Sequence, residues 1–250
     1  MSLGRLRDSK RRLLTAARRL GVEDQARDLW GMRSRAGRRD RRDMRHLRLL
    51  LAFTLGAEDS CVDVGAHDGA VLRDLVRYAP RGSHVAFEPL PDLAALLRRD
   101  FPGVDVRNAA VSDRAGDVTF HRVARHPTRS SLHTLGRDAA EIEPLTVRSE
   151  TLDESLPDGF VPRLVKIDVE GAEEQVLRGA MRTLSTHRPI VVLEHNRDSR
   201  HFGTSSATIH ALLAEAGLQV FDIDGNGPYD PAALERRVDA GDIWTYVARP

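Results

Sequence analysis

At 250 residues, with 41% apolar side chains, 19 glycines and 12 prolines, the chain has the make-up of a globular protein that buries one substantial core. Its one cysteine, Cys61, excludes an internal disulfide and with it a disulfide-stapled scaffold, and its place in an apolar run marks it as a small buried side chain. The net charge of +1 hides an asymmetry, because residues 1–50 carry 16 Lys/Arg against 6 Asp/Glu while the rest carry 22 against 31.

The basic segment comes first. Leu3, Leu6, Leu13, Leu14, Ala17 and Leu20 recur at helical spacing with arginines between them, which predicts a basic amphipathic helix. Gln25–Trp30 predicts a second, RSRAGRRDRRD reads as a charged link, and Met44–Leu55 reads as a third helix stopped by Gly56. Residues 1–57 are expected to form a helical cap on a domain at 58–250. Contact with an acidic lipid or nucleic-acid surface and resemblance to a transit peptide are the competing readings. The longest apolar stretch here, Leu49–Leu55, is far short of the roughly 20 residues that span a bilayer. A cytoplasmic protein without a transmembrane segment is the expectation, with peripheral membrane contact by the basic helix left open.

From residue 60 strands and helices alternate. The strand candidates are Cys61–Val64, His84–Phe87, Val104–Val106, Leu164–Ile167, Ile190–Leu193, Gln219–Phe221 and Ile243–Ala248. Ala70–Tyr78, Leu93–Arg99, Glu173–Leu184 and Ala207–Glu215 are the helix candidates. This alternation predicts an α/β fold with a mostly parallel sheet covered on both faces. DVTFHRV and EPLTVRSE depart from it as a hairpin-like excursion around a polar loop.

The chemistry concentrates after the first strand. CVDVGAHDGA places Asp63, Gly65 and Gly69 in a D-x-G-x-x-x-G pattern, which differs from the G-x-G-x-x-G of a dinucleotide turn. An acid at the strand tip followed by glycines suits a ligand carrying an amine and a carboxylate, although a tight strand-to-helix turn also needs glycine for itself. Nineteen residues after Gly69, Glu88 ends the second strand, where an acid can accept both hydroxyls of a ribose. Its plain alternative is a strand-end charge at the helix that begins near Pro91. Ribose with an amino-acid tail describes S-adenosylmethionine, and NAAVSD (Asn108–Asp113) is placed to close over the adenine with backbone amides and small side chains.

VDVGAHDG, AFEPLPD, NAAVSDRAGDVTF, TLDES, VKIDVEGAEEQVLRGA and IVVLEHN, in this order, resemble the FkbM family of S-adenosylmethionine-dependent methyltransferases over residues 58–248. The resemblance implies a doubly wound, seven-stranded Rossmann-like sheet with a final antiparallel strand, and O-methylation of hydroxyls on sugars, glycans, glycolipids or natural products. It implies a cofactor set of Asp63, Gly65, Ala66, His67 and Gly69 on the turn, Glu88 and Pro89 at the second strand, and Ala110, Val111 and Ser112 by the adenine. His67 departs from the family, which more usually has Asn there.

VKIDVEGAEE adds an acid block. Asp168 ends the fourth expected strand, Glu170 lies two residues on, and Lys166 shares the strand face of Asp168. Strand ends of open α/β sheets face the ligand crevice, so Asp168 and Glu170 are expected to meet the substrate, one of them as general base. Glu194 and His195 end the next strand and are expected to support them. Glu173 and Glu174 read as acids matched to a helix dipole. The carboxylates and the imidazole also suit magnesium or manganese, but no tight ligand spacing favours a metal, and the metal-free reading is preferred. Methyl transfer to a nucleic acid or an amine nitrogen, and cofactor binding without catalysis, are the alternatives. KIDVEG stands where an exocyclic-nitrogen motif would be expected, and the basic segment has no aromatic run for base stacking.

Overall fold

The computed structural model describes residues 35–123 and 142–250. The two helices expected before residue 31 and the polar loop 126–137 lie outside them. The chain divides into two units between Leu49 and Leu50. In the first, the charged run expected as a link is helical from Arg35, and this helix, α1 (Arg35–Thr54), continues across the division to end two residues before Gly56. Arginine is a good helix former, and Arg39 and Asp43 pair at 2.7 Å one turn apart, so a dense charge run here is helix rather than spacer.

The second unit is built on a seven-stranded sheet. Its strands are β1 (Ser60–Val64), β2 (His84–Phe87), β3 (Asp105–Arg107), β7 (Pro162–Ile167), β8 (Ile190–Glu194), β9 (Gln219–Asp222) and β10 (Thr245–Arg249), in the order β3-β2-β1-β7-β8-β10-β9. All neighbours are parallel except β10, which runs antiparallel between β8 and β9. Every residue of β2, and all of β1 after Ser60, is buried, as a parallel strand covered on both faces requires. One face packs Val62, Val64, Phe87, Ile167 and Leu193 against Val176, Leu184, Ile209 and Leu234. These last four come from α5 (Glu173–Arg178), α6 (Met181–His187), α7 (Ser206–Glu215) and α8 (Pro231–Ala240). The other face packs Ala86 against Leu72 of α2 (Ala70–Tyr78) and Ala94 and Leu97 of α3 (Pro91–Asp100). The chain crosses from one face to the other between β1 and β7. In open α/β sheets a ligand crevice opens at such a crossing, outside the strands' C-terminal ends.

The expected excursion is a second sheet, in which β5 (Gly116–Val123) and β6 (Ile142–Glu150) pair antiparallel. The short β4 (Ala110–Val111) joins β6 in parallel, and a four-residue helix, α4 (Leu152–Ser155), follows. Two further departures concern helices. The single helix expected over Glu173–Leu184 is broken between α5 and α6 at Gly179, where an added Cβ would lie 2.0 Å from the Ser112 carbonyl oxygen. Helix α8 was not among the sequence expectations, although Asp230 caps it by accepting from the Ala233 amide, Pro231 opens it, and left-handed Gly241 closes it.

Candidate active site

The glycine turn is fastened to the end of β2. The Phe87 carbonyl accepts from both the Gly65 and the Ala66 amide, each at 3.0 Å. The His67 amide donates to Glu88 Oε2 at 2.8 Å, and the Leu90 amide to Oε1 at 2.9 Å. Glu88 is 4% exposed, and burial pushes its carboxyl above the ordinary range against the pull of those two amides. Each oxygen keeps an acceptor position beyond the one amide it holds, which is what a vicinal diol would use. Asn108 Nδ2 bridges the Glu88 and Pro89 carbonyls, at 2.9 Å to each, and so fixes the backbone behind the carboxylate.

Three residues of this turn have backbone reasons for their identity. At Gly65 (φ 78) a Cβ would fall 2.0 Å from the Asp168 carbonyl oxygen, and at Gly69 (φ 77) it would collide with Phe101 and Leu97. Gly65 therefore lets the tips of β1 and β7 touch, and Gly69 lets α2 meet α3. His67 is left-handed at φ 49, a conformation that Asn tolerates better than most residues, which accounts for the usual Asn of the resembling family.

Asp63 does not face the crevice. It is fully buried, and the register that sets it beside Lys166 across β1 and β7 gives it that ammonium at 3.2 Å. Burial raises the Asp63 carboxyl above its usual range, and the ammonium offsets this in part. Lys166 Nζ also donates to the Gly65 carbonyl at 2.9 Å and lies 3.4 Å from Asp168 Oδ2. Burial alone would lower the Lys166 pKa, but Asp63, Asp168 and Glu194 together hold it well above that of an ordinary lysine. Lys166 thus joins the glycine turn to the acid block, a position that spacing alone did not reveal.

The structure gathers Asp168, Glu170 and Glu194. Asp168 is about a third exposed, Glu194 is half-buried, and Glu170 is left-handed at φ 56, directly before Gly171 at φ 112. The Glu194 carboxyl is raised well above the usual range by burial and by Asp168, with Glu170 and Glu173 adding and Lys166 opposing. His195 is not part of this group. Consecutive strand residues point to opposite faces, and His195 is buried with Nε2 2.9 Å from Ser206 Oγ and its ring against Tyr246. Burial lowers its pKa to about 4, so it is neutral and structural. Among the described residues no group of three or more His, Cys, Asp or Glu side chains is placed to hold a metal ion.

Two further expectations shift. Ser112 was expected to offer its amide to the adenine, but that amide donates to the Glu150 carbonyl at 2.9 Å, drawn off by the second sheet. Ala110 and Val111 are buried in β4. Glu173, taken for a dipole-matched surface acid, is 1% exposed. Its Oε1 accepts from the Gly171 amide at 2.9 Å and the Val169 amide at 3.4 Å, and burial raises its pKa to about 7. Carboxylates reaching back onto upstream amides are known from capping boxes, but the sequence holds no sign that this one is buried.

A seven-stranded sheet of this order, with one antiparallel strand beside the last and a glycine turn after the first, defines the Rossmann-like class of methyltransferases. Residues 63–220 match the family model described as the methyltransferase FkbM domain, and the chain belongs to that family. It is similar to the 2-O-methyltransferase NoeI of Sinorhizobium fredii, 26% identical over 51% of this chain and 59% of that protein. It is also similar to the hexuronic acid methyltransferase AglP of Haloferax volcanii, 27% identical over 76% of this chain and 74% of that protein. An FkbM methyltransferase from Methylobacillus flagellatus shares the fold at TM-score 0.50 and 16% identity, over 78% of this chain and 44% of that one. The matches thus cover less than two thirds of the length of NoeI and less than half of this solved relative. Among the described residues no helix is long and apolar enough to cross a membrane.

Proposed function

We propose that this chain methylates a hydroxyl oxygen of a sugar or glycan, with S-adenosylmethionine as donor. The observation that carries the proposal is the contact between the glycine turn held by Glu88 and the acid turn of Asp168, where Gly65 leaves room for no side chain between them. Family membership supports the donor, and the names of the two similar proteins, a 2-O-methyltransferase and a hexuronic acid methyltransferase, favour a saccharide hydroxyl.

The residues suit the donor. Glu88, with a free acceptor position on each oxygen, would take the ribose hydroxyls, and the turn from Gly65 to Gly69 would lie along the amino-acid tail. Bound there, S-adenosylmethionine supplies an electrophilic methyl group. An alcohol is a weak nucleophile while it keeps its proton, and a positioned base raises the rate by about 10²–10⁴-fold. Asp168, about a third exposed, is open to an incoming hydroxyl, and Lys166 Nζ lies 3.4 Å from its Oδ2. Glu170 shares the turn, and Glu194, with its raised pKa, holds a proton more readily than an ordinary carboxylate. His195 takes no part.

The test is incubation with methyl-labelled S-adenosylmethionine and a panel of methyl glycosides of hexoses, deoxyhexoses and hexuronic acids. Label should appear on an oxygen of at least one. Asp168→Asn or Glu170→Gln should cut turnover by about 10²-fold or more, while calorimetric affinity for S-adenosylhomocysteine changes little. Glu88→Ala should instead weaken that affinity by about tenfold or more, the loss of charge-assisted hydrogen bonds of about 1.5–3 kcal/mol each. Near-normal turnover in both amide variants would remove the base assignment. Activity abolished by EDTA and restored by magnesium would make the same carboxylates metal ligands.

A further inference from the structure

The turn that carries the acids is held from both sides. Two successive residues, Glu170 and Gly171, have positive φ, and the first bears a side chain, for which this backbone is costly. Such a turn persists only where its surroundings fix it. The Gly171 amide donates to Glu173 Oε1 at 2.9 Å, and the Gly171 carbonyl accepts from Thr204 Oγ1 at 3.2 Å. Both partners are buried, Glu173 at 1% exposure and Thr204 at 2%.

Neither contact is a standard cap of the helix that follows. The N-cap position of α5 is Ala172, which has no side-chain cap, and Glu173, the first residue of the helix, reaches back onto the amides of residues 169 and 171. A dipole-matched acid would do its work at the surface, where its charge is cheap. Thr204 arrives from a remote part of the chain, after the 3-10 helix Arg197–Phe202. It spends its hydroxyl on the one carbonyl that follows Glu170.

We propose that Glu173 and Thr204 are positioning residues that clamp Gly171 by its amide and its carbonyl, and so hold Asp168 and Glu170 at the reacting hydroxyl. This deepens the methyl-transfer reading and rests on it. The clamp touches neither donor nor acceptor, so its loss costs turnover and leaves donor affinity alone. Misplacing a reacting group by about 1 Å costs about 10²-fold in rate.

The experiment compares Glu173→Leu, Glu173→Gln, Thr204→Val and Thr204→Ser in the full chain. Glutamine keeps an acceptor for the Gly171 amide, and serine keeps a donor for its carbonyl. Hydrogen exchange at the Gly171 amide reads the clamp without any acceptor sugar. It should quicken by about tenfold or more in Glu173→Leu, as loss of a buried hydrogen bond implies, and stay near normal in Glu173→Gln. With the glycoside that accepts methyl, Leu and Val should lower kcat by about tenfold to a hundredfold with KM for S-adenosylmethionine nearly unchanged. Gln and Ser should recover most of it. If Glu173→Leu fails to fold, the Thr204 pair decides by the same kcat comparison. Equal kcat in Val and Ser, or unaltered Gly171 exchange in Glu173→Leu, overturns the clamp. Absence of methyl transfer to every glycoside with the exchange difference intact overturns the proposed activity and leaves the clamp standing.

Discussion

Lys166 is the residue on which the site's charges converge. It meets Asp63 and Asp168 and donates to the Gly65 carbonyl, and among the described residues no other cation pairs with Asp63. Lys166→Met should therefore leave a buried carboxylate unpaired and lower stability by about 3–5 kcal/mol. Urea unfolding measures this, and Asp63→Asn in the same background should restore much of the loss. A change under about 1 kcal/mol would mean that Asp63 carries a proton in the fold. The acid at the first strand's tip was legible in the sequence, but its partner was not. Which cation an acid meets depends on strand register, here Asp63 opposite Lys166, and spacing within one strand does not encode it. The separation of Glu194 from His195 is legible in the sequence, because adjacent residues of an extended chain point to opposite faces.

The elements were foreseen best where glycine and proline punctuate an apolar period. Helix α2 falls on Ala70–Tyr78 as expected, and β1, β2 and β8 differ from expectation by a residue or less at either end. The break between α5 and α6 was hidden, because Gly179 has ordinary helical backbone angles and is required only by what packs against it. The same contact defines a test. Gly179→Ala adds a methyl 2.0 Å from a backbone oxygen that has no rotamer to move away. It should destabilise by about 1–3 kcal/mol, the usual cost of overpacking. Unchanged stability would show that the two segments part freely.

Across the whole molecule, the order β3-β2-β1-β7-β8 puts the change of helix face at the junction of β1 and β7, where the glycine turn and the acid turn meet. That much follows from the alternation of strands and helices. The burial of so many acids around the junction does not. Asp63, Glu88, Glu173 and Glu194 all have raised pKa values, with burial the leading cause each time. A raised carboxyl binds its proton more tightly in the folded chain than in the unfolded one. Its contribution is present below the unfolded pKa and is lost as pH rises through the folded value. For Glu173, which faces Asp168 and Glu194, that window runs from the ordinary glutamate value of 4.5 to about 7. His195, whose pKa burial lowers, contributes with the opposite sign over the lower part of this range. The Glu173 share is therefore read by difference: between about pH 5 and pH 8 the urea midpoint of the unaltered chain should fall relative to that of Glu173→Gln. A difference that moves the other way would contradict the sign. The scarcity of lysine gives the junction a reporter of its own. Beyond residue 10 the chain has a single side-chain amine, that of Lys166, which is 7% exposed and firmly protonated. Acylating reagents need a free, neutral amine, so a label found on Lys166 records a moment when the tips of β1 and β7 had come apart.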